Sequence, residues 1–230
     1  MKLSIIIPCY NEDKTLETIF DKVNLFNSLE KEIIIVDDFS SDRTSIIIED
    51  LKKKHPNLKD IRHEKNLGKG GAIKSGLSLC TGDLIIIQDA DLEYDPSDYT
   101  KLVEPFLNAD ADVVYGTRFK GGSYTRLHFF WHYVANQLLT LLTNIFTNLN
   151  MSDMETGYKV FKSSAIKSIT LKENSFGIEP EITMKLAKKN FIFYEVSISY
   201  KGRSYSEGKK ITLKDAFIAV FCIIRYRFFD

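Results

Sequence analysis

Hydrophobic and polar residues follow two alternating periods along the first half of the chain. Leu3-Ser4-Ile5-Ile6-Ile7 is mostly β-branched and closes on Pro8. A short apolar run with such a stop suits a buried strand. Leu16, Ile19, Phe20, Val23 and Phe26 then recur at three- and four-residue steps, which describes one face of a helix. Ile33-Ile34-Ile35-Val36 predicts a second buried strand running into Asp37-Asp38. Ser41 or Asp42 is placed to cap a helix reaching Lys54, with Ile46, Ile47 and Leu51 turned inward. Lys52-Lys53-Lys54 forms its solvated end, favoured by the helix dipole. Leu58 to Arg62 is a weaker strand and Gly70 to Leu79 a helix. Leu84-Ile85-Ile86-Ile87 is a buried strand ending at Asp89, Pro96 opens a further helix, and Asp112-Val113-Val114-Tyr115 is another strand. This alternation predicts an α/β fold, a mostly parallel sheet with helices on both faces.

From Gly121 onward the pattern becomes helical and interfacial, with one strand-like piece at Phe193 to Ser199. Leu127 to Ser152 contains no Lys, Arg, Asp or Glu, and Ala216 to Ile224 is wholly apolar and followed by Arg225 and Arg227. Neither reaches the ~18 apolar residues of a spanning helix. Two readings stand for these stretches: amphipathic helices on a bilayer surface with aromatics at headgroup depth, or helices packed on the sheet. His128 and His132 have a metal-capable spacing but no third ligand, and are read as packing or phosphate contacts. With no repeat and no Pro/Gly/Ser linker, the chain reads as one domain with a C-terminal elaboration.

Composition narrows the class. At 230 residues with 44% hydrophobic and 27% charged positions, the chain can bury its own core and is neither disordered nor a multi-span membrane protein. Thirty-one basic residues balance 31 acidic ones, which disfavours a nucleic-acid partner. Cys9, Cys80 and Cys222 are far apart and read as free thiols in a reducing compartment. Met1-Lys2-Leu3-Ser4 leads directly into a strand, without a signal-peptide pattern, so the expectation is a cytoplasmic protein.

Gly68-Lys69-Gly70-Gly71 invites a nucleotide reading but fails two motifs. A Walker A loop needs Ser or Thr after Lys69 and Gly at the position of His63, and a dinucleotide fingerprint needs Gly at Ile73. What remains is a Gly-rich loop opening a helix, whose backbone N–H groups suit an anion. Three strands run into polar ends that share one rim of a parallel sheet: Tyr10-Asn11-Glu12, Asp37-Asp38 and Asp89-Ala90-Asp91. Ligands of open α/β sheets bind at that rim. Carboxylates at alternate positions of an extended Asp89–Glu93 segment can share one hard cation, which suits diphosphate chemistry.

These segments stand in a familiar order and spacing. Ile5-Ile6-Ile7-Pro8-Cys9-Tyr10-Asn11-Glu12, Val36-Asp37-Asp38 through Thr44, Asn66-Leu67-Gly68-Lys69-Gly70 and Gln88-Asp89-Ala90-Asp91-Leu92-Glu93 resemble an inverting GT-A-type glycosyltransferase of family 2. The group resembled is the dolichyl-phosphate mannose synthases and their bacterial polyprenyl-phosphate relatives. Gly116-Thr117-Arg118, the run from Ser152 to Phe161, and the run from Arg203 to Lys209 extend the resemblance over nearly the whole chain.

The resemblance implies metal-dependent inverting transfer of a hexose from a nucleoside-diphosphate sugar to a polyprenyl phosphate at the cytoplasmic membrane face. Residues 1–120 would bind the donor, and 121–230 would face acceptor and membrane. Pro8, Tyr10, Glu12, Val36 and Asp38 would contact base and ribose. Asp89 and Ala90 would lie near the donor, with Lys69 in the same donor site. Asp91 and Glu93 would hold Mg²⁺ or Mn²⁺; many relatives carry Gln at the position of Glu93. Arg118, Arg203 and Lys209 would meet phosphates, although a basic surface loop also accounts for the last two. Asp89, Asp91, Asp153 and Arg203 are the expected catalytic set. Asp153 and Glu155 either orient the acceptor or the sugar, or serve as buried salt bridge or cap. The chain ends at Asp230 without the transmembrane helices some relatives add, and would be a peripheral member. The alternatives are a transferase of the same fold with a soluble or glycan acceptor, its apolar helices forming core or a homo-oligomer interface, and a nucleotide-sugar-binding protein without turnover. Sugar, base and oligomeric state stay open.

Overall fold

A computed structural model describes residues 1–120, 129–203 and 213–229. Strand β1 (Lys2–Cys9) lies parallel between β2 (Glu30–Asp37) and β4 (Leu84–Ile87), with Ile5 opposite Ile33 on one side and Ile86 on the other. Ile5, Ile6, Ile7, Ile34, Ile35, Val36, Leu84, Ile85 and Ile86 are all fully buried, as strands covered on both faces require. β3 (Lys59–Arg62) extends the sheet beyond β2. Helices α1 (Leu16–Leu25), α2 (Thr44–Lys54) and α3 (Lys69–Leu79) make the crossovers. Ile46 departs from expectation. It is 55% exposed, and Ile48 and Leu51 carry the inward face of α2 instead. The Asp42 carboxylate accepts the amide of Thr44 at 2.9 Å, at the start of α2.

After β4 come α4 (Tyr99–Asn108), β5 (Val113–Thr117), α5 (Phe130–Thr147) and β6 (Lys159–Lys162). The chain continues through α6 (Ser163–Lys167), α7 (Ile178–Ala187), β7 (Phe193–Ser197) and α8 (Leu213–Phe228). Among the described residues seven strands form one sheet in the order β3-β2-β1-β4-β6-β5-β7. The reading of the second half as helices plus one strand missed β6. It inserts between β4 and β5 and runs antiparallel to both. That reversal delivers the segment before β6 to the rim where β1, β2, β4 and β5 end. β7 pairs parallel with β5 and covers the Phe193 to Ser197 part of the expected strand.

Helix α5 turns polar residues toward the core, and α8 is apolar on both its buried and its exposed face. α5 turns Asn136, Leu139, Thr140 and Thr143 inward and exposes Trp131 (75%), Leu138, Leu141 and Ile145. α8 buries Ala219, Cys222, Ile223 and Tyr226 and exposes Phe217 (77%), Phe221, Ile224 and Phe228. The two helices touch, with the Phe146 and Phe228 rings 5.6 Å apart. No helix among the described residues is long and apolar enough to cross a membrane.

Candidate active site

Side chains knit the loops after β1 and β2 together. Asn11 adopts a left-handed conformation (φ 55), and its Oδ1 accepts the Ser41 amide at 2.8 Å. The amides of Asn11 and Glu12 donate to Ser40 Oγ (3.0 Å) and Thr44 Oγ1 (2.9 Å). Buried Asp38 then clamps the turn before α3. Its carboxylate accepts the amides of Leu67 and Gly68, both at 2.7 Å, and lies 2.7 Å from His63 Nδ1. Gly68 has φ 82, and a Cβ there would sit 2.4 Å from the carbonyl oxygen of Asn174, so only glycine closes this turn. The turn carries Lys69 to the rim.

Gln88 anchors the end of β4. Its Oε1 accepts the hydroxyls of Tyr99 (2.6 Å) and Tyr158 (2.7 Å) in the buried core. The Asp89–Glu93 segment then leaves the sheet as a turn, with Leu92 at φ 61, and not in the extended form expected from its spacing. Lys69 Nζ lies 2.8 Å from Asp89 and 3.3 Å from Glu179. Arg203 bridges the other two carboxylates, with Nη2 donating to Asp91 Oδ2 at 2.5 Å and Nε to Glu93 Oε1 at 3.1 Å. Burial, then the neighbouring Asp89 and Glu93, push Asp91 up to about 7, against the opposing pull of Arg203. For Lys69, burial favours the neutral amine, but Asp89 and Glu179 outweigh it and raise its pKa.

The segment before β6 completes the wall. Asp153 is fully buried and accepts Arg118 in a bidentate pair, Nε and Nη2 each at 2.6 Å, with Asn136 of α5 donating at 3.1 Å. The Arg118 guanidinium also lies 5.0 Å from the centre of the Tyr200 ring, whose hydroxyl donates to Glu93 at 2.8 Å. Buried Lys159 donates to Glu179 and to the Thr156 carbonyl. Gly157 lets this segment press on β4's end: a Cβ there would meet Asp89 Oδ2 at 2.7 Å. Glu155 lies between these pairs. Its Oε1 is buried without a hydrogen-bond partner, and burial pushes its carboxyl up to about 7.

Together these groups enclose a cavity of about 360 Å³ at the carboxyl rim, the size of a small-molecule site. Residues 4–170 match the family described as Glycosyl transferase family 2. The chain belongs to that family. It is a glycosyltransferase, and its fold is of the GT-A type. Among curated relatives, it is 31% identical to a dolichol-phosphate mannosyltransferase of Pyrococcus furiosus over 92% of this chain, and spans 61% of that protein's length. It is 31% identical to a UDP-N-acetylglucosamine–dolichyl-phosphate N-acetylglucosaminyltransferase of Methanococcus voltae, over 72% of this chain and 71% of that one. Among solved structures, glucosyl-3-phosphoglycerate synthase of Mycobacterium tuberculosis superposes with a TM-score of 0.75 at 18% identity, covering 100% of this chain and 79% of that one. That enzyme was crystallised with Mn²⁺, UDP and phosphoglyceric acid.

Of the residues singled out in this glycosyltransferase's sequence, Pro8, Tyr10, Glu12, Asp38, Lys69, Asp89, Ala90, Asp91, Glu93, Arg118 and Arg203 line the cavity. Val36 does not: it is fully buried in the core, because its side chain faces α3 and not the rim. Asp153 does not line the cavity either; it pairs with Arg118, which does. Arg118 and Arg203, expected at phosphates, are held by carboxylates of the protein itself. Lys209 lies outside the described residues. Sequence reasoning overlooked Tyr94, Phe176, Glu179 and Tyr200, which also line the cavity. Glu179 is one of two acidic residues, with Glu181, at the first turn of α7, and both are buried.

Among the described residues, no three His, Cys, Asp or Glu side chains converge into a ready-made metal site. Asp91 and Glu93 nevertheless fit a divalent cation by chemistry. Both offer hard carboxylate oxygens, and a guanidinium cation already bridges them.

Proposed function

We propose that this glycosyltransferase moves a hexose, with inversion, from a nucleoside-diphosphate sugar to a polyprenyl phosphate at the cytoplasmic surface of a membrane, using Mg²⁺ or Mn²⁺. The observation that carries the reading is the rim cavity, in which acidic Asp89, Asp91 and Glu93 meet basic Lys69, Arg118 and Arg203. The acceptors named for the two archaeal relatives, and the nucleotide and metal bound by the mycobacterial enzyme, support it. Residues 1–120 form the donor part and 121–230 the acceptor and membrane part of one domain.

Pro8, Tyr10, Glu12 and Asp38 border the base and ribose, with Asp38 working through the turn it clamps. Asp89 and Ala90 flank the donor. Asp91 and Glu93 would hold the cation, which when bound would supply charge neutralisation for a departing diphosphate. Lys69, Arg203 and Lys209 bring positive charge to the phosphates, where charge-assisted hydrogen bonds are strongest. Arg203, which pairs with Asp91 and Glu93 at the same rim, is within reach of that role. Arg118, fixed by Asp153, is the positioned guanidinium of the wall. The acceptor phosphate is already ionised near neutral pH and attacks without a strong general base. The exposed stripes of α5 and α8 rest on the lipid that carries the acceptor.

The test is incubation with radiolabelled sugar nucleotides, undecaprenyl or dolichyl phosphate, and Mg²⁺ or Mn²⁺. Label entering the organic phase, with inverted anomeric configuration, is the expected result. Donor binding without transfer, or transfer only to a soluble acceptor, overturns it.

A further inference from the structure

The cations that line or buttress the cavity are matched. Lys69 pairs with Asp89 and Glu179, Arg118 with Asp153, Lys159 with Glu179, and Arg203 with Asp91 and Glu93. Glu155 is a carboxyl left over on the same wall. It lines the cavity, and its buried Oε1 has no hydrogen-bond partner. Buried polar atoms are nearly always satisfied, so an orphaned carboxyl oxygen on a residue that lines a cavity points to a missing partner. Its backbone is not a loose loop. The Met154 amide donates to Thr140 Oγ1 of α5 at 3.1 Å, and the Gly157 amide to Tyr94 Oη at 2.8 Å. Asp153, two residues earlier, is locked by Arg118. The side chain is therefore presented from both sides by fixed anchors, as precise recognition requires.

The chemistry of the partner follows from the surroundings. Arg118 and Lys159 face Glu155 from the end of β5 and from β6, and Asp153 and Glu179 face it from the preceding segment and α7. Both cations are already neutralised, so a phosphate brought here would meet an uncompensated acid. Hydroxyl groups suit it better: they donate to an ionised carboxylate and exchange hydrogen bonds with a protonated one. Two adjacent hydroxyls match the two carboxyl oxygens. We propose that Glu155 hydrogen-bonds hydroxyls of the sugar being transferred and thereby helps to set which sugar the site takes. The inference rests on the sugar-nucleotide reading of the cavity. Burial supports it by pushing the carboxyl up to about 7, so that both forms are present near neutrality.

The experiment uses the full chain with Mn²⁺ and whichever of UDP-glucose, UDP-N-acetylglucosamine and GDP-mannose the wild type turns over best. Glu155→Ala and Glu155→Gln are then compared on that donor and on its single-deoxy analogues, with circular dichroism as the folding control. For Glu155→Ala, kcat/KM should fall about 10- to 100-fold, the range of a lost hydrogen bond to a charged group. Calorimetric affinity for the free nucleoside diphosphate should stay within about twofold. One deoxy donor should cost the wild type a similar factor and cost Glu155→Ala nothing further, the mark of a shared contact. Glu155→Gln should keep most of the activity and lose the component of the pH profile near 7. Wild-type kinetics in Glu155→Ala, or additive losses on every deoxy donor, overturn the inference while leaving the glycosyltransferase reading intact. A wild type that binds none of the three donors overturns the reading of the cavity, and the inference with it.

Discussion

The guanidinium of Arg203 lies between Asp91 and Glu93, so a cation bound by those carboxylates must displace it or share them with it. Two opposite effects follow for Arg203→Ala. Mn²⁺ should bind more tightly in the absence of substrate, because a competitor is gone. Turnover should nevertheless fall by about one to three orders of magnitude, at roughly 1.4 kcal/mol per tenfold step, because a charge aimed at the leaving diphosphate is lost. A manganese titration followed by steady-state kinetics separates the two; weaker Mn²⁺ binding with unchanged kcat would sink the assignment. Asp91→Ala should remove metal-dependent turnover in a folded protein, and full wild-type activity in EDTA would count against a metal site there. The ionisation of Glu155 also bears on stability. Its folded pKa is raised to about 7, against about 4.3 for an unperturbed Glu. A raised carboxyl contributes its stability below the unfolded pKa and loses it as pH rises through the folded one. Glu155→Gln cannot ionise, so it should match the wild type near pH 4 and exceed it at pH 8 by about 2–4 kcal/mol. A pH-independent gap in Tm between the two proteins would show that burial does not penalise the charge.

At the scale of elements, the opening of α3 depends on a single backbone conformation. Gly68 combines a positive φ with a Cβ position 2.4 Å from a backbone oxygen. Gly68→Ala should therefore cost about 2–4 kcal/mol by denaturant unfolding, combining left-handed strain with a forced backbone shift. It should also raise the donor KM, since Gly68 and Lys69 line the cavity; an unchanged midpoint would mean that the turn relaxes freely. This loop was legible in the sequence as glycines before a helix, and β1, β2 and β4 as unbroken isoleucine runs. β6 was not. Lys159-Val160-Phe161-Lys162 carries a charge at each end, and the burial of Lys159 is intelligible only once Glu179, 20 residues away, is beside it. Missing β6 also hid why Asp153 and Glu155 reach the rim. Ile46 misled because its helical spacing was right while its phase was off by part of a turn. The rim carboxylates could be listed from the sequence, but their pairing with Arg203, Lys69 and Arg118 could not, because each pair joins distant segments.

For the whole molecule, the decisive contrast is between what α5 and α8 bury and what they expose. A helix packed on a core turns its apolar side inward, yet α5 buries Asn136, Thr140 and Thr143 and leaves Trp131, Leu138, Leu141 and Ile145 outside. The inward polar groups have specific partners: Asn136 holds Asp153, and Thr140 holds the Met154 amide. One helix thus supports the cavity wall on one side and presents an apolar stripe on the other. The exposed Phe217, Phe221, Ile224 and Phe228 of α8 recur at four-, three- and four-residue steps and repeat that pattern. Contiguous exposed apolar surface of this kind marks a membrane or protein interaction. The lipid-borne acceptor proposed for this chain favours the membrane. The wild type should therefore float with anionic liposomes, and less so at high salt. The triple variant Trp131→Ser, Phe217→Ser, Phe221→Ser should lose at least about tenfold in bound fraction, since each large side chain contributes about 1.5–3 kcal/mol when removed from water. Because all three are exposed, its unfolding midpoint should stay close to the wild type's. A collapse of stability would mean that these side chains are packed in the core. Flotation no better than in lipid-free controls, together with a concentration-dependent dimer that the triple variant abolishes, would assign the face to a homo-oligomer interface instead.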